Sequence, residues 1–372
     1  MRKVGLVGWR GMVGSVLFQR MLEENDFHAI LPHFYTTSEV GSPGPRIHGI
    51  PYFLKDANDI QALAEMDIII TCQGSDYSRV FYPLLRDFGW KGYWIDAASV
   101  FRMKKDSCII LDPVNREQID KALDDGIQLF VGGNCSVTLS LLGLSGLFKA
   151  GLIEWMSLMT YQSASGAGAR HVRELIAQSS YMSQDSEVSN LLYRGSLISL
   201  LKRVNELMNH TEMPKKAFSV PLIGNVIPWI DNDLGDGNSR EEWKGEVEAH
   251  KILGLRSGSF FLNGLCVRVG VIRCHSAAIT MKLKYDMSER EFLDLIESAN
   301  PWVRYVSNNK EESIRELTPA RISNSLKIAV GRYKKMFSNS ESIYSVFTVG
   351  DQLLWGAAEP LRRMLNILLG RL

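Results

Sequence analysis

A chain of 372 residues, 45% hydrophobic and 22% charged, can bury the cores of two ordinary domains. The formal net charge is +1 and no dense Lys or Arg run occurs, which argues against nucleic acid and anionic membrane surfaces as partners. Basic residues that stand out are therefore read as local anion binders. The start of the sequence has no apolar core of signal-peptide length. The longest apolar stretch, 129–148, is broken by Gly132-Gly133-Asn134 and several serines, against a membrane span. The 5 cysteines are odd in number and widely spaced, with no Cys-x-x-Cys pair. That pattern argues against a disulfide framework and a structural zinc site, and the expected compartment is a reducing cytosol.

In chain order, 4–8 reads as a strand and 12–23 as a helix with Val13, Val16, Leu17 and Met21 on one face. A strand at 30–35, a Gly/Pro-rich loop at 41–46, a strand at 67–72 and a helix at 77–88 follow. Further strands are expected at 93–97, 108–111 and 128–131. Apolar runs alternating with helices predict a doubly wound, Rossmann-like parallel sheet with helices on both faces. The texture changes near 152. A strand at 152–163, helices from 169 to 208, a Pro-rich connection at 214–228 and a short polar helix from Ser239 come next. Long strand-like runs at 261–272 and 277–284 predict a second, α+β domain. The stretch 350–372 reads as helical and apolar, with Pro360 marking a kink or break. The expected division is 1–134, completed by 353–372, and 135–352.

Gly8-Trp9-Arg10-Gly11-Met12-Val13-Gly14 joins the first strand to the first helix. Glycines in that position permit a tight turn and bring backbone N–H groups toward a pyrophosphate at a helix N-terminus. The spacing is G-x-x-G-x-x-G, so placement rather than pattern carries the reading. An NAD site usually has Asp or Glu at the end of the second strand to hold the ribose 2′-hydroxyl. Here Thr36-Thr37-Ser38 offers hydroxyls, with no acid before Glu39. A 2′-phosphate fits Thr37 and Ser38 and is attracted by Arg10, so NADP is the expected cofactor.

Cys72, Cys108 and Cys266 lie in apolar strands and read as small core residues, while Cys274, between Arg273 and His275, is ambiguous. Cys135 follows Gly132-Gly133-Asn134 and opens a helix-like run. A thiol there feels the helix dipole and free N–H donors, which favour the thiolate and could hold an oxyanion. A reactive role and core packing are evenly balanced on these grounds. Of the 7 histidines, His275 is the best acid–base candidate, at the junction of two strand-like runs. His171 opens an exposed helical pattern and reads as solvated. Strict alternation from Cys266 puts Arg268 and His275 on opposite faces, so a shared pocket demands a bend near 270–274.

Taken together, these segments resemble the bacterial aspartate-β-semialdehyde dehydrogenases over essentially the whole chain. The resemblance is carried by Gly8–Val16, Thr71-Cys72-Gln73-Gly74, Tyr93–Ser99 and Gly132-Gly133-Asn134-Cys135. It continues through Ser239–Gly245, Leu265–Gly270 and Ser345–Pro360. It implies reversible reductive dephosphorylation of aspartyl 4-phosphate by NADPH, on the branch toward lysine, methionine and threonine, in a homodimer built sheet to sheet. Carried over by position, it implies Cys135 as nucleophile, His275 as acid–base, and Gln162, with Asn134 beside the nucleophile, in the catalytic set. Arg268 would clamp the substrate carboxylate, Glu241 would meet the ammonium, and Arg102 and Lys244 would bind phosphate. Cofactor contacts would come from Gly8, Arg10, Gly11, Met12, Val13, Thr37, Ser38, Gln73, Ser165, Gly166 and Gln352. The chain departs from the family pattern at 179–196, with Tyr193 where a proline is placed, and at Ala167, where a glycine is common.

The residue types suit these roles: an Arg fork binds both oxygens of a carboxylate, and Lys acts on phosphate as a point charge. On spacing alone, Glu241 and Lys244 read as a solvated surface pair and Arg102 as a surface cation. Two other readings stay open. One is a phosphorylating dehydrogenase for N-acetylglutamyl phosphate or glyceraldehyde 3-phosphate. The other is a non-catalytic dinucleotide-binding sensor.

Overall fold

The computed structural model describes residues 1–256, 259–336 and 341–372. The first sheet has seven strands, all parallel, in the order Lys55–Asp56, Ile30–Thr36, Arg2–Val7, Ile68–Thr71, Tyr93–Asp96, Leu129–Gly132, Cys108–Ile110. Ile68–Thr71 and Leu129–Gly132 are buried at every residue, as continuous apolar runs between two helical layers should be. Strand order reverses between Arg2–Val7 and Ile68–Thr71, which opens a crevice beyond their carboxyl ends.

Where a loop was expected at 41–46, Pro43–Ile47 and Ile50–Phe53 form a hairpin. His48 and Gly49 both take positive φ (49° and 82°), the turn a two-residue hairpin requires. The C-terminal stretch also differs from the helical run broken or kinked at Pro360 that was expected. Gly350 closes the strand Ile343–Gly350, a π-type turn spans Leu354–Ala358, and the helix proper is Glu359–Leu368. Pro360 sits in its first turn, where a missing N–H leaves no bond unmade. Leu361, Met364 and Leu365 of this helix pack with Val4, Ile70, Ile95 and Phe130 of the first sheet. Arg362 pins it through Asp26 (2.9 Å) and Glu359 (2.8 Å), and Arg363 through Asp112 (2.6 Å).

The second sheet is mixed, in the order Val226–Ile227, Cys266–Val269, Ile153–Gln162, His275–Leu283, Ile343–Gly350, Ile328–Lys335, Val303–Val306. The run 261–272 is two strands, Phe261–Asn263 and Cys266–Val269, interrupted where the Asn263 side chain accepts the Gly264 N–H (2.7 Å). Ile153–Gln162 alternates, with Met156, Leu158, Thr160 and Gln162 buried and Met159 and Tyr161 outward. The helix Cys135–Gly143 lies on the inward face, its Leu139, Leu141 and Leu142 in one core with Ile279, Met281 and Val330. The helix from Ser239 is not short. It runs Arg240–Leu253 and opens on a capping box between Ser239 and Glu242.

Candidate active site

Asn134 organises the turn that precedes Cys135. Its Oδ1 accepts the N–H groups of Ser136 (2.9 Å) and Val137 (3.2 Å), capping the helix. Its Nδ2 donates to Glu241 (2.8 Å), and its backbone N–H donates to Glu248 (2.6 Å). This corrects the expectation of several free donors at the helix head. Those of Ser136 and Val137 are taken, and the N–H of Cys135 itself, the first helical residue, has no intrahelical acceptor. The thiolate is not favoured either. Burial, with Glu241 adding to it, pushes the Cys135 thiol up to about 11 against the opposing influence of Arg268 and Arg102. The resting side chain is a thiol.

Two strands and one helix deliver charge around it. Gln162 and Arg268 are register partners on parallel strands, both facing inward. Arg268 Nη1 donates to the Ser163 carbonyl (2.8 Å) and to Gln162 Oε1 (3.4 Å), and Gln162 Nε2 donates to Glu241 (3.1 Å). Glu241, Lys244 and Glu248 follow one another at helical spacing along Arg240–Leu253. Lys244 Nζ lies between Asp231 (2.5 Å) and Glu241 (3.2 Å). Arg102 donates to the Gly132 carbonyl (2.7 Å) and pairs with Glu248 (3.0 Å). Glu241 and Arg102 are each 8% exposed, so the solvated surface pair and surface cation suggested by spacing are both overturned. Burial would raise the Glu241 carboxyl, but Lys244 and the hydrogen bonds from Asn134 and Gln162 hold it below its usual value. Lys244 is raised, since its two carboxylates outweigh burial.

The bend required near 270–274 is present. The strand Cys266–Val269 ends, Val271 N–H closes back on the Val269 carbonyl (2.7 Å), and Cys274 adopts φ 76° before His275–Leu283 begins. Arg268 and His275 then converge on Gly166, where an added Cβ would sit 2.9 Å from Arg268 Nη1 and 2.8 Å from His275 Nε2. Ser163 N–H donates to His275 Nδ1 (3.1 Å), which places the ring proton on Nε2. Nε2 is buried with no partner among the described residues. Burial first, and then Arg268, push the imidazole down to about 3, so it is neutral.

Of the sequence-derived positions, Asn134, Cys135, Gln162, Arg102, Glu241, Lys244, Arg268, Val13, Ser165, Gly166 and Gln352 line one cleft of about 430 Å³. His275 stands behind Gly166 rather than on the wall. Gly8, Arg10, Gly11, Met12, Thr37, Ser38 and Gln73 do not line the cleft; they lie at or just beyond the carboxyl ends of the strands Arg2–Val7, Ile30–Thr36 and Ile68–Thr71, at the switch-point crevice. A side chain at Gly14 would run into the Gly8 carbonyl, and one at Gly8 would lie 2.7 Å from Gln73 N. The helix Met12–Glu23 has no side-chain cap and no acid in its first turn. A bare helix head behind a glycine turn fits a pyrophosphate. Arg10 contacts Thr36 Oγ1 (3.0 Å), Ser38 Oγ (3.5 Å) and the Glu39 carboxylate, and Gln73 reaches Thr37 (3.4 Å).

Four positions read otherwise than expected, were missed, or were left open by the sequence. His171 is only partly solvated: its ring lies 4.7 Å from Phe218, its Nδ1 is buried without a partner among the described residues, and burial lowers its pKa. Asp231 and Glu248 escaped notice because a lone acid in a loop or helix carries no local pattern. Their signal is spatial, as partners of Lys244 and Arg102. Cys274 is settled as a core residue, fully buried among Val306, Ile322 and Val349 with its thiol pushed up to about 12.

A parallel sheet with a switch-point crevice, together with a cleft holding a cysteine and clustered cations, is the arrangement of a dinucleotide-binding enzyme with a candidate nucleophilic thiol. Comparison with known proteins specifies it. Residues 3–122 match the family description "Semialdehyde dehydrogenase, NAD binding domain", and 144–355 match "Semialdehyde dehydrogenase, dimerisation domain". An aspartate semialdehyde dehydrogenase from Francisella tularensis is 43% identical, with 99% of this chain and 100% of that chain covered and a TM-score of 0.94. Aspartate semialdehyde dehydrogenase II from Vibrio cholerae, solved complexed with ASA, has 22% identity, covers 100% and 98%, and gives a TM-score of 0.80. The Candida albicans enzyme, solved with NADP, has 15% identity, covers 100% of both chains, and gives 0.64. At those identities the last two establish the shared fold. The chain belongs to the semialdehyde dehydrogenase family. No helix among the described residues is long and apolar enough to cross a membrane.

Proposed function

We propose that this chain is an NADP-dependent aspartate-semialdehyde dehydrogenase. It would convert L-aspartyl 4-phosphate and NADPH to L-aspartate 4-semialdehyde, NADP and phosphate, in the biosynthesis of lysine, methionine and threonine. The observation that carries the reading is that Cys135 shares one cleft with two sets of cations, Arg268 on its strand and Arg102 with Lys244. A substrate with a carboxylate at one end and an acyl phosphate at the other needs two such sets. Glu241, ionised between Asn134, Gln162 and Lys244, is the counter-charge for the ammonium.

In this mechanism the Cys135 sulfur attacks the acyl carbon, its proton passing to His275. The carbon–oxygen bond to phosphate breaks, the anion leaves toward Arg102 and Lys244, and a thioester remains. The N–H of Cys135 and the Gln162 amide hold the carbonyl oxygen. Gly8, Arg10–Val13, Thr37, Ser38, Gln73, Ser165, Gly166 and Gln352 would hold the cofactor, with Arg10 at the 2′-phosphate. When bound, NADPH supplies a hydride to the acyl carbon. Carbon–sulfur cleavage then releases the aldehyde, and the sulfur regains its proton. To accept the thiol proton at Nε2, His275 first shifts its one resting ring proton from Nε2 to Nδ1, where Ser163 Oγ, 3.2 Å away, accepts the hydrogen bond.

The reading extends to a cytoplasmic homodimer formed across the outer face of the second sheet, and to domains divided at 134/135 with 353–372 returning to the first. Support for the dimer is the outward, exposed pair Met159 and Tyr161, with Tyr161 6.2 Å from Phe347 on the same sheet. The test is reduction of NADP on adding aspartate semialdehyde, with and without inorganic phosphate. Phosphate-dependent turnover is expected. Preference for N-acetylglutamate semialdehyde or glyceraldehyde 3-phosphate, or no turnover, refutes the assignment.

A further inference from the structure

Arg10 is the only family-like cation assigned above to the 2′-phosphate, yet it is already engaged. Its guanidinium pairs with the Glu39 carboxylate and donates to Thr36 Oγ1 (3.0 Å) and Ser38 Oγ (3.5 Å), while its Cζ lies 5.8 Å over the Trp9 ring. Glu39 follows the end of the strand Ile30–Thr36 by three residues, at the crevice rim. We propose that Glu39 sets cofactor choice. Its carboxylate competes with the 2′-phosphate for Arg10, and so narrows the preference for NADP over NAD.

The charges decide the direction. The pair is solvated, with side chains 41% and 55% exposed, so it is weak and a phosphate carrying about two charges displaces it. Displacement leaves Glu39 beside a dianion or forces it into solvent, and either outcome weakens binding of the phosphorylated cofactor. A 2′-hydroxyl makes no such demand, since it can donate to the carboxylate as in an NAD site. Thr36 and Ser38 contribute hydroxyls that serve either ligand. Glu39 thus acts on one end of the cofactor and not on the chemistry at Cys135.

The proposal rests on the 2′-phosphate lying at Arg10, and its test separates the two. The full-length protein is titrated calorimetrically with 2′,5′-ADP and with 5′-AMP, which report the adenosine end without turnover. Glu39→Gln is expected to tighten 2′,5′-ADP roughly two- to fivefold, with 5′-AMP unchanged, and the gain should shrink at high salt. Arg10→Ala is expected to weaken 2′,5′-ADP about tenfold. Adding Glu39→Gln to Arg10→Ala should then give no gain. If Arg10→Ala loses affinity but Glu39→Gln gains none, the competition is refuted and the phosphate placement stands. A gain that persists without Arg10 also refutes it, as a general charge effect. If Arg10→Ala binds 2′,5′-ADP like the unaltered protein, the placement itself is wrong and the proposal falls with it.

Discussion

At Cys135 and His275 the protein suppresses both charges that the proposed chemistry needs. A thiol near 11 is ionised at pH 8 to only about one part in a thousand. Alkylation of the ligand-free enzyme by iodoacetamide should therefore climb about tenfold per pH unit from 7 to 9 without a plateau. A plateau near pH 7 would mean a resting thiolate. His275 has the opposite sign for stability. Its folded pKa, near 3, lies below the unfolded value of 6.5, so its neutral form stabilises the fold above pH 6.5 and that contribution is lost as pH falls toward 3. His275→Asn should flatten the acid side of the stability curve by up to a few kcal/mol, measured by urea unfolding between pH 7 and 4. Cys135→Ser should keep NADP affinity while turnover falls by orders of magnitude; near-normal turnover removes it from the chemistry. Arg268→Lys should raise KM for the amino-acid substrate and leave cofactor affinity unchanged, since only the two-point contact is lost.

Among the elements, the helix Arg240–Leu253 has the most to explain. Its start was legible, because Ser239 and Glu242 have capping-box spacing, but its length and direction were not. The buried stripe contains Glu241 and Glu248 alongside Gly245, Ala249 and Ile252, so apolar periodicity does not mark the inward face. Carboxylates can be inward only because Arg102, Asn134 and Gln162 come from elsewhere in the chain to join Lys244 of the same helix in meeting them. No local reading contains the three distant partners. Glu248→Gln should loosen Arg102 and the Asn134 amide together, raising KM for phosphate about tenfold while aldehyde KM stays level. An unchanged phosphate KM would confine Glu248 to a structural role. The bend at 270–274, by contrast, was legible as a necessity, since Arg268 and His275 could not otherwise share a face.

For the whole molecule, the two-sheet plan followed from a change in strand texture near 152. The strands 303–306, 328–335 and 343–350 did not emerge, because mixed-sheet strands carry no glycine turn or crossover spacing to announce them. The C-terminal helix was legible as apolar, but its anchoring was not. Arg362 bridges Asp26 and Glu359, all three at most 7% exposed. Arg362→Met should cost about 3–5 kcal/mol in denaturant unfolding, because two carboxylates are left buried without their cation. A loss under 1 kcal/mol would mean that Arg20 and Arg371, which also reach Glu359 and Asp26, suffice.

That helix has a consequence for how the molecule comes into being. Val4 and Leu365 share a core though they stand far apart in the sequence, so a strand translated early must wait for a helix translated much later. While the ribosome is still extruding residues near 350, the underside of the nucleotide-binding layer is bare, though the second sheet already has its strands. Stalled nascent chains ending at 352 should accordingly be cut by protease within 1–134, and those extended past 372 by a spacer should resist.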